Sequence, residues 1–200
     1  MKKKTKLIEK KIINKTNTIQ SIVILIVSSL SFLLDKIMIN VVNAIQHPLL
    51  FNFFYAITSL GEVYIFIFIA LVLIATLMIY HRPITEFILT LFTAEIIQVL
   101  IKLIVNRPRP FEAANIASSI TTNMSSFPSG HTMMFFAMIP IFSKNFPKMK
   151  IVLLIVATLV GVSRIYLGVH YLSDVVFGAI LGYSIGWIYM RLGEKYAWKY

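Results

Sequence analysis

Residues 163–174, SRIYLGVHYLSD, place an arginine, a histidine and an aspartate within eleven residues, between two strongly apolar segments. His170 and Asp174 are four apart, so on a helix they would share a face and their side chains could meet. A carboxylate beside an imidazole fixes its tautomer and strengthens it as a base or nucleophile. Two further polar clusters lie at the ends of apolar runs: KLIVNRPRP, residues 102–110, and FPSGHTMMFF, residues 127–136. Together the three clusters supply Lys102, Arg107, Arg109 and Arg164 as cations, Ser129 and the Gly130 amide as hydrogen-bond donors, and a second histidine, His131. Cations around a helix N-terminus suit a phosphate, because guanidinium pairs with its oxygens bidentately and the free amides attract the anion. Gly130 would let the backbone approach closely. A single cation at a span end would ordinarily snorkel to headgroups. Several at one membrane face, in a chain that otherwise keeps its cations elsewhere, mark function.

The elements that must position these residues are membrane helices. Of the 200 residues 58% are hydrophobic and the mean hydropathy is +0.82, against an apolar content of about 45–50% in soluble domains. Several apolar runs approach the roughly 20 residues that cross a bilayer. The spans read as 19–34, 63–80, 84–105, 129–142, 151–165 and 175–189, with Asp35 and Lys36 closing the first and His81-Arg82-Pro83 a turn after the second. Residues 37–60, broken by Pro48, read as a short amphipathic or re-entrant helix at the outer face. The stretch 106–128 is polar and reads as a functional loop. The helix beginning near Ser129 is short for a full crossing, which puts its start below the headgroups, in protein rather than lipid. The expected fold is all-α: a polytopic six-transmembrane-helix bundle with a short amphipathic helix at the outer face.

Charge orients the bundle. The net charge is +11, but seven lysines crowd the first fifteen residues, directly before an apolar run. That pattern argues for a cytoplasmic anchor and against nucleic acid as partner. The first run lacks a small-residue cleavage site and reads as a retained span. With both termini in the cytoplasm of a cell-membrane protein, fourteen Lys/Arg fall inside and five outside, namely Lys36, Lys102, Arg107, Arg109 and Arg164. Four of those five belong to the polar clusters, so the site would face the extracytoplasmic side. The chain has no cysteine, which excludes thiolate chemistry.

The clusters resemble the signature of the type 2 phosphatidic acid phosphatase superfamily, the lipid phosphate phosphatases. Lys102, Arg109 and Pro110 match K-x6-R-P; Pro128, Ser129, Gly130 and His131 match P-S-G-H; Ser163, Arg164, His170 and Asp174 match S-R-x5-H-x3-D. No motif position departs. The resemblance implies a 19–192 phosphatase domain between a basic cytoplasmic segment, 1–18, and a cytoplasmic tail, 193–200. His170 would be the nucleophile, forming a phosphohistidine, with Asp174 orienting its ring. His131 would protonate the leaving oxygen and then help activate water. Lys102, Arg109, Ser129, Gly130 and Arg164 would hold the phosphate. The family needs no metal or other cofactor, which agrees with a cluster holding one acidic residue. Arg107 would be auxiliary or touch a headgroup, Ser163 auxiliary, and Glu95, on the face of Lys102 with Gln98, supporting. Gly178, Gly182 and Gly186 should close-pack a neighbouring helix of the same chain. His47 and His81 read as incidental.

The partners implied are the bilayer and a lipid phosphate: phosphatidic acid, phosphatidylglycerol phosphate or an undecaprenyl-type diphosphate. The rival readings are a phosphotransferase using the same histidine, a vanadate-dependent haloperoxidase, which six spans argue against, and a non-catalytic lipid-binding membrane protein.

Overall fold

Residues 18–44 contain neither proline nor glycine, so nothing in them stops a helix once it has started. In the computed structural model, which describes residues 2–79, 84–113 and 124–196, α1 accordingly runs from Lys2–Ala44 without a break. Asp35 and Lys36, expected to close the first span, lie inside this helix; a charge ends a span only where it must reach water, and Asp35 is buried against the Arg107 guanidinium instead. The expected single helix over 37–60 is therefore divided. Its first part completes α1, and Pro48, which suits a first helical position, opens α2 (Pro48–Ser59). His47, read as incidental, caps α2, its Nδ1 accepting from the Leu49 amide at 3.3 Å.

The remaining helices are α3 (Val63–Ile79), α4 (Thr85–Val105), α5 (Pro110–Ala113), α6 (Gly130–Asn145), α7 (Met149–Tyr166) and α8 (Leu172–Tyr196). No strand occurs among the described residues. The turn at His81-Arg82-Pro83 and part of the 106–128 loop, residues 114–123, lie outside them. Among the described residues, four segments are long and apolar enough to cross a membrane: Thr18–Ala44, Thr85–Val105, Met149–Tyr166 and Leu172–Tyr196. The last begins before residue 175, since Asp174 finds partners within the protein and needs no exposure to water.

α6 is the axis of the bundle. Met133, Ala137, Met138, Ile139 and Phe142 are each no more than 1% exposed, and Phe87 of α4 meets Phe142 edge-on with ring centroids 5.6 Å apart. α6 packs most extensively on α8, where Gly178, Gly182 and Gly186 abut its backbone; a Cβ at those positions would run into the carbonyls of Ser129, Met133 and Ala137. The glycine row thus serves a contact within the chain. The outward faces of α1, α4 and α7 expose Leu33, Ile104, Ile151 and similar residues, as helices in contact with lipid do. α6 is enclosed by protein, which lets a helix with Pro140 in its interior persist at this depth.

Candidate active site

Three chain reversals converge at one end of α6. α4 ends at Asn106, whose φ of 43° is left-handed; asparagine tolerates that region better than most residues. The reversal carries Arg107 back across the bundle, where its amide donates to Ser125 Oγ (2.9 Å) and its carbonyl accepts from the Ser126 amide (2.9 Å). α7 ends at Tyr166, and the chain turns through Gly168, at φ 67°, where a side chain would be strained. That turn lets the amides of Val169 and His170 both donate to the Arg164 carbonyl (3.2 Å). α6 starts at Gly130, with the Ser129 amide donating to the Asp174 carbonyl (3.0 Å). The Ser129 side chain makes no capping bond, so the first-turn amides of α6 point outward as potential anion donors.

His170 and Asp174 do meet, but not on one helical face. His170 sits in the turn before α8, while Asp174 is in the first turn of α8. Asp174 Oδ2 accepts from the Tyr171 amide (2.9 Å), the reach of a carboxylate back to a helix start, and lies 3.4 Å from His170 Nδ1. Asp174 Oδ1 accepts from Arg107 Nη1 (2.7 Å). Arg107 stacks over the Tyr171 ring, 3.8 Å from its centroid, and its Nη2 donates to Asp35 Oδ2 (2.7 Å). Burial pushes the His170 imidazole well below its ordinary range, and the positive charges of Arg164, Arg109 and Lys102 push it the same way. Both causes favour the neutral ring, whose Nδ1 is turned to Asp174.

The other expected residues surround this pair. Arg164 is 5% exposed, donates from Nη1 to Thr58 Oγ1 on α2, and leaves Nε buried without a protein partner. His131 Nε2 is likewise buried and unpartnered. Thr132 donates to Ser129 Oγ (3.0 Å), leaving the Ser129 hydroxyl proton available. Arg109 is 3% exposed and donates to the carbonyls of Met124 (3.1 Å) and Val169 (3.0 Å). A cavity of about 350 Å³ brings Lys102, Gly130 and His131 together with Glu95, Gln98 and Gly61. Glu95 accepts from Gln98 Nε2 (2.8 Å). A second cavity, about 320 Å³, opens on the His170 side between α1, α2 and the 167–172 turn, lined by Val42, Phe51 and Tyr166 among others.

Ser163 is not among the groups facing these cavities: its hydroxyl donates to the Val160 carbonyl (2.7 Å) and is fully buried. Arg107 is held by Asp174, Asp35 and Ser173 rather than reaching outward. Sequence reasoning missed Asp35, Ser173 and Thr58. An acid inside an otherwise apolar run was the available signal for Asp35; nothing about an isolated threonine or serine marks the other two.

The polar end of the helical bundle thus gathers two histidines, an aspartate and several cations around an open helix start, a set of groups that suits a phosphate. The chain belongs to the PAP2 superfamily, whose sequence profile matches residues 83–198. It is 30% identical over 165 residues to phosphatidylglycerophosphatase B of Bacillus subtilis, covering 76% of this chain and 79% of that protein. Its fold is similar to the crystal structure of the first transmembrane PAP2-type phosphatidylglycerolphosphate phosphatase from Bacillus subtilis, with TM-score 0.71 and 25% identity over 86% of this chain and 92% of that one. The crystal structure of Aquifex aeolicus LpxE is also similar, with TM-score 0.70 and 30% identity over 79% of this chain and 95% of that one.

Proposed function

We propose that this chain hydrolyses the terminal phosphate of a membrane lipid phosphate, and that phosphatidylglycerol phosphate is the first substrate to test. The likeness to phosphatidylglycerophosphatase B over most of both chains supports that choice; phosphatidic acid and undecaprenyl-type diphosphate are the comparison substrates. The observation that carries the reading is the pair of buried, unpartnered donors, Arg164 Nε and His131 Nε2, beside the open helix start at Ser129-Gly130. Buried polar atoms without partners are rare, and a phosphate oxygen supplies what both lack.

In the reaction, His170 Nε2 attacks phosphorus as the P–O bond to the lipid breaks, and Nδ1–H donates to Asp174. His131 gives its proton to the departing lipid oxygen, then takes one from the water that hydrolyses the phosphohistidine. Lys102, Arg109, Arg164, Ser129 and the Gly130 amide hold the equatorial oxygens. No metal or cofactor takes part. Six helices, α1, α3, α4, α6, α7 and α8, cross the cell membrane with both termini in the cytoplasm, and the site opens extracytoplasmically.

The test is phosphate release in detergent from the three lipids, with His170→Ala as control. Release that survives His170→Ala removes the mechanism. A protein that binds lipid yet frees no phosphate from any of them is a lipid-binding protein instead.

A further inference from the structure

α1 is a lipid-facing helix for most of its apolar length, with Leu25 67% and Leu33 74% exposed, yet Asp35 in the same run is 6% exposed. A carboxylate at that depth is costly unless it is paired, and both oxygens of Asp35 are used. Oδ1 accepts from the Ser173 amide (2.9 Å); Oδ2 accepts from the Ser173 hydroxyl (2.6 Å) and from Arg107 Nη2 (2.7 Å). Arg107 Nη1 donates in turn to Ser173 Oγ and to Asp174 Oδ1, each at 2.7 Å.

We propose that Asp35 is a positioning residue for the phosphoryl transfer, holding Arg107 and Ser173 so that Asp174 keeps Oδ2 directed at His170. The proposal rests on the reading of His170 as nucleophile. Two consequences of the geometry carry it. Arg107 is held by Asp35 at Nη2 and by the Tyr171 ring against its guanidinium face, and in that position its Nη1 meets Asp174 Oδ1. And the one guanidinium is shared between two carboxyl groups, one of which, Asp174, faces the imidazole that becomes cationic as the phosphohistidine forms. Second-layer groups of this kind hold reacting groups in register, and displacement by about 1 Å costs about a hundredfold in rate.

A residue that only pins α1 to α8 would also be buried and bonded, so the test separates the two roles. kcat, KM and Tm are measured for the full-length wild type, Asp35→Asn, Asp174→Asn and the double variant in one detergent. Asp35→Asn is expected to lower kcat about 10- to 100-fold, with KM unchanged, and the double variant is expected to be no slower than Asp174→Asn alone. Asp35→Glu should recover part of kcat. Multiplicative losses in the double variant, or a lower Tm with kcat intact, overturn the proposal. If Asp35→Asn does not fold, Ser173→Ala replaces it in the same cycle, because it removes the bridging hydroxyl while keeping both charges, and the same outcomes decide. A wild type that frees no phosphate fails the parent reading, whereas an active wild type with independent losses fails this one alone.

Discussion

His170 Nδ1 stands 3.4 Å from Asp174 Oδ2, although the same oxygen holds the Tyr171 amide at 2.9 Å and the other oxygen holds Arg107 at 2.7 Å. The carboxylate is thus fixed by other donors before the imidazole engages, and the contact with His170 is the long one. A catalytic hydrogen bond that is long without substrate commonly tightens as charge develops. Asp174→Asn keeps the shape but removes the charge that, in the proposed reaction, stabilises the imidazolium. Its kcat is expected to fall roughly 10²- to 10⁴-fold, measured as phosphate release at saturating lipid. A loss below threefold would mean that the carboxylate does not assist His170.

In the proposed reaction the role of His131 depends on the leaving group. A lipid alkoxide must be protonated as it departs, whereas an aryl phosphate such as p-nitrophenyl phosphate releases a far weaker base. His131→Ala is therefore expected to reduce lipid phosphate hydrolysis about 10²- to 10⁴-fold and aryl phosphate hydrolysis much less. Equal losses on both substrates would reassign His131 to phosphate binding.

The pH profile follows from the state of His170. Burial first, and then Arg164, Arg109 and Lys102, hold its imidazole well below the ordinary range. In the proposed reaction only the neutral ring attacks, so activity is expected to be lost as pH falls through the lowered value and retained through the interval around 6.5 where a free histidine titrates. The acid side of the profile therefore lies unusually low. An acid limb of kcat/KM centred near 6.5 would show that another group sets it.

The residues that gather at one end of α6 could be singled out from the chain, because motif residues carry their chemistry in type and spacing. His170, Asp174, Arg164, Arg109, Ser129, Gly130, His131 and Lys102 converge because three separate reversals place them at one end of α6. The partners of Arg107 could not be read, since Asp35 is 72 residues from Arg107 and its pairing exists only once α1 lies against α8. The same fact explains the misplaced end of the first span: Asp35 looks like a stop for a membrane helix until its counter-ion is known. The glycine row of α8 was legible as a packing face, but its partner, α6, was a matter of tertiary structure.

That row gives a stability prediction. The Cβ of an alanine at residue 182 would collide with the Met133 carbonyl, a backbone atom of the most buried helix. Rigid backbone cannot swing aside as a side-chain end can, so α8 must back away from α6. Gly182→Ala is expected to destabilise by about 1–3 kcal/mol, seen as a lower Tm in detergent. An unchanged Tm would show that the two helices can separate without cost.

The corner between α2 and α3 controls His131 from the opposite side. Gly61 lies against the imidazole so closely that a Cβ there would overlap Cδ2, and in the turn before it Thr58 holds Arg164. Gly61→Ala forces the ring of His131 to tilt while leaving the helices around it intact. Misplacing a proton donor by about 1 Å costs about a hundredfold, so lipid phosphate hydrolysis should drop by one to two orders of magnitude at unchanged Tm. Because only proton delivery is disturbed, hydrolysis of the aryl phosphate should fall far less. Parallel losses on both substrates would instead mean that the corner sets the phosphate pocket as a whole through Thr58 and Arg164.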